Sequence, residues 1–192
     1  MKLYWAQTSG CDPAQAIHPG RSHADGSAFA WSLLTYALQC DWDMELPSVE
    51  TTTGGKPYFP DVPELHISLS HTRGVVLAAI SRFPVGVDVE YHRQFRESTA
   101  RRLKETPHGD LELFELWTLR ESWYKLTGRG DLRTIPFSRE NGVITLPEPM
   151  ENVHCHLYGE IPNCTAAVCC EQELPPEKMI QIDAKLLLKP EE

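Results

Sequence analysis

The sequence predicts an α+β fold built on antiparallel sheet. One early segment has helical apolar spacing, a second helical block occupies the middle of the chain, and short strand-like runs separated by turn residues fill most of the rest. With 192 residues and 41% hydrophobic content, the chain is large enough to bury a sizeable core.

The first helix is predicted in SAFAWSLLTYALQC, where Phe29, Leu33, Leu34, Ala37 and Leu38 recur at the spacing of an amphipathic helix entering a core. TTTGGKPYFPDVPEL, rich in Gly and Pro, reads as turn and extended loop with Lys56 at its bend. HISLSHTRG reads as a strand ending in a polar turn that holds His71. GVVLAAISR and VGVDVE, separated by Phe83-Pro84, read as an antiparallel hairpin.

From Ser98 to Thr127 the pattern is helical, interrupted between Pro107 and Asp110 and stopped by Gly128 and Gly130. PFSRENGVITLPE, ENVHCHLYGEI and NCTAAVCCEQEL supply further strand candidates, and QIDAKLLLKPEE reads as a last strand with a frayed end. The natural division falls after the VGVDVE strand, giving an N-terminal half, 1–95, and a C-terminal half, 96–192.

Composition excludes some functions. The formal charge of −9 argues against non-specific nucleic-acid binding, so no nucleic-acid partner is expected, and a polyanionic ligand would have to be met by local cations. No apolar run approaches the roughly 20 residues of a membrane span, and the N-terminus lacks the features of an export signal. A cytoplasmic protein with no membrane association and reduced cysteines is the expectation. In His154-Cys155-His156 the spacing lacks the pairing of a zinc module, and strand alternation is the preferred reading.

Three local patterns carry chemistry. Asp88 and Glu90, two apart on a strand, emerge from one face close enough to share a cation; alone, they read more readily as the exposed polar face of an edge strand. A hard oxygen pair suits magnesium completed by substrate phosphates. In WTLRESWYKL, Glu121 and Lys125 lie at i and i+4 on one helix face, and Trp117 and Tyr124 place the carboxylate beside an apolar stripe. A salt bridge on an exposed helix is the plainer reading of that pair. His71 and Lys56 offer cations near a phosphate, with glycines beside Lys56 permitting close backbone approach.

The ordered succession GGKPYFP, HISLSHTRG, VGVDVE and WTLRESWYKLTGRG resembles the 4'-phosphopantetheinyl transferase superfamily. The class it is most similar to is the larger, monomeric one that includes surfactin synthetase-activating enzymes. The match covers most of residues 51–140 and continues weakly to TAAVCC.

The resemblance implies two similar α+β halves related by a pseudo-twofold axis, each a small antiparallel sheet packed with helix, with a ligand cleft between them. It implies transfer of 4'-phosphopantetheine from coenzyme A to a serine of an apo acyl or peptidyl carrier protein, with Mg2+ as cofactor. The carrier could serve fatty acid, polyketide or nonribosomal peptide synthesis.

By the same resemblance Asp88, Glu90 and Glu121 hold the metal, and Glu121 also accepts the serine proton. Lys56, Ser70 and His71 contact the 3'-phosphate and nucleotide, while Arg120 and Lys125 reach the pyrophosphate, Lys125 acting with Glu121 in catalysis.

Two departures stand out. Arg120 replaces the usual lysine, and no F-[SA]-x-x-E segment is recognisable in RESTARRLKETPHGD. They motivate a second reading, a non-catalytic coenzyme A binding homologue. A magnesium-dependent phosphohydrolase is a third.

Overall fold

The computed structural model describes residues 1–21, 25–148 and 150–190. Among these the architecture is α+β, as the sequence predicts, with three α-helices and two principal sheets in separate compact units. The units comprise residues 1–82 with 176–192, and 83–175. Residues 83–95, including the strand VGVDVE, which the sequence places in the N-terminal half, belong to the second unit. No helix among the described residues is long and apolar enough to cross a membrane.

In the first unit, β1 (Lys2–Gln7), β4 (His66–Thr72), β5 (Val75–Ser81) and β11 (Ile180–Ile182) form a sheet in the order β11-β1-β5-β4. Helix α1 (Asp25–Trp42) packs on it. The five apolar residues whose spacing predicts this helix are all at most 2% exposed, so its inward stripe is the stripe read from sequence. Burying each such leucine contributes roughly 1.5–3 kcal/mol.

The GGKP region is a loop closed by a two-stranded ribbon, β2 (Glu50–Thr51) with β3 (Pro57–Tyr58). The C-terminal segment differs from expectation: β11 adds parallel to β1, making this sheet mixed, and a 3-10 turn follows at Ala184–Leu187. The frayed end expected at Glu191 and Glu192 lies outside the described residues.

The hairpin expected between GVVLAAISR and VGVDVE does not form. Strand β5 is central, with β1 on one edge and β4 on the other, so neither edge is open to the next strand. Strand β6 (Val85–Tyr91) instead pairs antiparallel with β10 (Cys164–Glu171) in the second unit, and β10 pairs with β9 (Val153–Tyr158), giving the order β6-β10-β9.

The second unit also contains α2 (Glu97–Leu103), α3 (Leu113–Thr127) and a small hairpin, β7 (Ser138–Glu140) with β8 (Val143–Thr145). The interruption expected between two helices is present, and Gly128 ends α3 in the left-handed conformation with φ 67°. Glu112 and Glu115 form a capping box at its start, and Arg139 on β7 donates to both Glu115 oxygens at 2.8 and 2.9 Å. The α3 N-terminus is thereby tied to the hairpin.

Gly86 sets how closely α3 meets the sheet. A Cβ at this position would collide with the Ser122 carbonyl and the Leu126 amide of the helix. Glycine is therefore required by close approach, which brings the Asp88 and Glu90 face of β6 under α3. Gly86→Ala should destabilise the protein by about 2–3 kcal/mol, because overpacking against backbone cannot be relieved by a rotamer change. Urea unfolding of both proteins would measure it.

Candidate active site

The candidate site is the surface of β6 that faces α3. Asp88 and Glu90 lie two apart on that strand, paired in register with Ala167 and Thr165 of β10. Strand β6 is the edge of its sheet, but Asp88 is only 5% exposed, so the reading of the pair as an exposed polar face does not hold for it. The Lys125 ammonium, from α3, donates to Asp88 Oδ1 at 2.9 Å and to the Val87 carbonyl at 3.0 Å. The helix carrying Glu121 is thus tied to the strand carrying the other two carboxylates, rather than Lys125 pairing along its own helix with Glu121.

Glu121 is held with its carboxyl pushed up to about 7, first by burial and then by the charges of Asp88 and Glu90, with Lys125 opposing. Burial likewise raises Glu90, and Asp88 adds to that. Three acids therefore feel one another across strand and helix.

The consequence for stability has a definite sign. Because the folded-state value of Glu121 lies above its ordinary 4.5, its contribution is fully present below pH 4.5 and is lost as pH rises through about 7. The cost of ionising it falls on the fold unless a cation arrives.

Hard oxygen donors of this kind fit a small divalent cation, and their mutual repulsion is the charge such an ion would relieve. Among the described residues no group of three or more His, Cys, Asp or Glu side chains stands ready-made to ligate a metal. In this arrangement the Lys125 ammonium supplies the counter-charge to Asp88.

Two residues at this site were not assigned from sequence. The Trp117 indole N–H donates to Glu90 Oε1 at 3.3 Å, and Arg93 lies 3.7 Å from Glu90 Oε2. Trp117 sits one turn before Glu121, so the helix period carried the signal, but the tryptophan read as an apolar stripe residue.

Arg120 departs from its expected role. Instead of presenting its guanidinium to a pyrophosphate, it is 0% exposed. Its Nε donates to Ile135 O at 2.7 Å and its Nη1 to Arg133 O at 2.8 Å, while Nη2 reaches Thr106 Oγ1 and Leu103 O. Residue 120 adjoins Glu121 in sequence yet points into the core, because consecutive helical residues are about 100° apart. A planar fork can satisfy several carbonyls at fixed angles; a lysine ammonium cannot do so with the same geometry.

In the first unit, His71 lies on strand β4 opposite Val76, not in a turn as expected; the turn is at Arg73-Gly74. It lines a cavity of about 540 Å³ together with Thr8, Ser9, Cys11, Phe29 and Arg73. A Cβ on Gly26 would meet the His71 ring at 2.6 Å, so the first turn of α1 packs closely on the imidazole. Ser70 is 7% exposed while His71 is exposed, as strand alternation dictates, so these neighbours do not share a face. Lys56 sits in the β2–β3 loop, where its backbone N–H donates to Thr52 Oγ1 at 3.2 Å.

Arg120→Lys, which restores the lysine of the resembled family, should lower stability by about 2–4 kcal/mol, since buried carbonyls lose their fixed donors. Chemical denaturation measures the loss.

No protein-family model matches the sequence. Curated relatives do. The chain is 28% identical over 151 residues to the 4'-phosphopantetheinyl transferase Sfp of Bacillus subtilis, covering 70% of this chain and 67% of that protein. It is 29% identical over 152 residues to the 4'-phosphopantetheinyl transferase psf-1 of Bacillus pumilus, covering 70% and 65%. Over a shorter stretch of 87 residues it is 34% identical to the 4'-phosphopantetheinyl transferase gsp of Aneurinibacillus migulanus. The chain spans about two thirds of the length of the first two relatives. Over about 70% of its length the chain is thus similar to 4'-phosphopantetheinyl transferases, Sfp of Bacillus subtilis among them.

Proposed function

We propose that the chain transfers 4'-phosphopantetheine from coenzyme A to a serine of an apo acyl or peptidyl carrier protein, releasing adenosine 3',5'-bisphosphate. The observation that carries this reading is the grouping of Asp88, Glu90 and Glu121 with Lys125 on the facing surfaces of β6 and α3.

Magnesium, when bound by Asp88, Glu90 and Glu121 with the pyrophosphate, supplies charge neutralisation for the phosphoryl group. The chain's own residues supply the rest. Lys125 places a positive charge beside the carboxylates, where it can neutralise charge developing on the leaving phosphate.

Glu121, the carboxylate on α3, takes the proton of the serine hydroxyl as that oxygen bonds to the β-phosphorus. The bond from the β-phosphorus to the bridging oxygen breaks, and the electron pair leaves with the bisphosphate. In the first unit, Lys56 and exposed His71 are the residues offered to the 3'-phosphate, whereas buried Ser70 faces the other way. Arg120 takes no part in binding the pyrophosphate and is a structural clamp.

Incubating the purified chain with coenzyme A, Mg2+ and a panel of apo carrier proteins should add one phosphopantetheine to a carrier, read by intact mass. Asp88→Ala should lower the rate by about 10²-fold or more, while the variant retains its circular dichroism spectrum. Absence of transfer across the panel, with folded protein and coenzyme A raising its melting temperature, would replace this reading with a non-catalytic binder.

A further inference from the structure

Cys155 and Cys169 are unused by the reaction and lie directly opposite each other on β9 and β10. The ladder around them fixes what kind of pair they are. Gln172 N–H donates to Asn152 O at 2.6 Å, and these residues face each other in the same register. Hydrogen-bonded pairs alternate with non-hydrogen-bonded ones, so 172/152, 170/154 and 168/156 are bonded and 169/155 is not.

The other edge of β10 agrees. Glu171 N–H donates to Pro84 O and His92 N–H to Asn163 O, which makes Cys169/Gly86 a bonded pair and directs the Cys169 backbone away from β9. In a non-hydrogen-bonded antiparallel pair the Cα atoms are about 4.5 Å apart and the side chains closest. That spacing lies within the range a disulfide spans, roughly 4.4–6.8 Å.

Both thiols are reduced and occupy the α3 side of the sheet, Cys169 at 0% exposure and Cys155 partly exposed. Cys170, next in sequence, belongs to the opposite face, where its thiol meets the Glu173 carbonyl at 3.0 Å. It does not compete. Cys169 Sγ lies 3.3 Å from Ser122 Oγ on α3, the residue after Glu121. The row Gly86, Cys169, Cys155 runs beneath the segment of α3 between Glu121 and Lys125.

We propose that Cys155 and Cys169 form a reversible disulfide on two-electron oxidation by a peroxide, a redox switch built into the sheet that supports the catalytic helix. Hydrogen peroxide converts the partly exposed Cys155 thiol to a sulfenic acid, releasing one water. The Cys169 thiol then attacks that sulfur; the S–S bond forms, the S–O bond breaks, and a second water leaves.

Two thiols and one peroxide yield one disulfide and two waters, so oxidant need reach only Cys155. Contact with Cys169 and burial both raise the Cys155 thiol above its ordinary range, which makes the reaction slow at neutral pH and faster in alkali. Bridging removes the Cys169 hydrogen bond to Ser122 and cross-links the two strands beneath α3.

The test treats the purified full chain with hydrogen peroxide at pH 8.5, alkylates remaining thiols, and maps tryptic peptides by mass, with exposed Cys40 reporting that oxidant was effective. A Cys155–Cys169 cross-linked peptide, removed by dithiothreitol and absent from Cys155→Ala, is expected. The oxidised wild type should also melt several degrees higher than the reduced protein, a shift that Cys155→Ala lacks. Alkylation of both thiols after Cys40 has been oxidised would overturn the proposal. So would Cys155 paired to a different cysteine, or a disulfide that leaves the melting temperature unchanged.

Discussion

The structure of the second unit depends on one close approach: α3 lies so near β6 that position 86 has no room for a side chain. That proximity buries Asp88 and brings Glu121 within electrostatic reach of it and of Glu90. Three carboxyl groups in a partly desolvated space repel one another, and ionising all of them is expensive. Lys125 offsets part of the cost by bridging Asp88 and the Val87 carbonyl, and so fixes the helix to the strand through the same contact that balances charge. A site poised in this way gains most from a divalent cation and a phosphate, which together complete its charge balance.

Around that contact the helix is held at its start and at its middle. The capping box and Arg139 anchor its start, while Arg120 reaches from its middle to the carbonyls of residues 133 and 135 that follow it and to the segment after α2. Neighbouring residues of one helix therefore do opposite jobs. Glu121 faces the acidic cluster, and Arg120, one step round the helix, is buried to keep the connections in place. A buried guanidinium with its donors on backbone carbonyls is a positioning device, and its depressed ionisation, pushed down to about 10 by burial, reflects the dry setting.

What was legible in the sequence follows from periodicity. The α1 stripe, the break between α2 and α3, the Gly128 stop and the strand β9 were all local patterns, and each is present. The same-face placement of Asp88 and Glu90, and their approach by Glu121, could be anticipated because two periods, one of strand and one of helix, pointed to it.

Partner choice was not legible. Nothing local in GVVLAAISR says that both its edges are taken, so β5 and β6 read as a hairpin when they belong to different sheets. Nor could a cluster of basic residues reveal that Arg120 turns inward. Charge predicted a ligand, whereas the available carbonyls decided its direction.

Burial and the neighbouring acids leave Glu121 about half protonated at neutrality until a cation binds, and the charge balance of the site turns on that. The direct measurement is a titration of Glu121 by carbon-13 NMR of its side-chain carboxyl, assigned with Glu121→Gln, in the absence and presence of Mg2+ and coenzyme A. The midpoint should lie near 7 in the free protein and move down when metal and coenzyme A are added. A midpoint near the ordinary 4.5 in the free protein, insensitive to both additions, would contradict it.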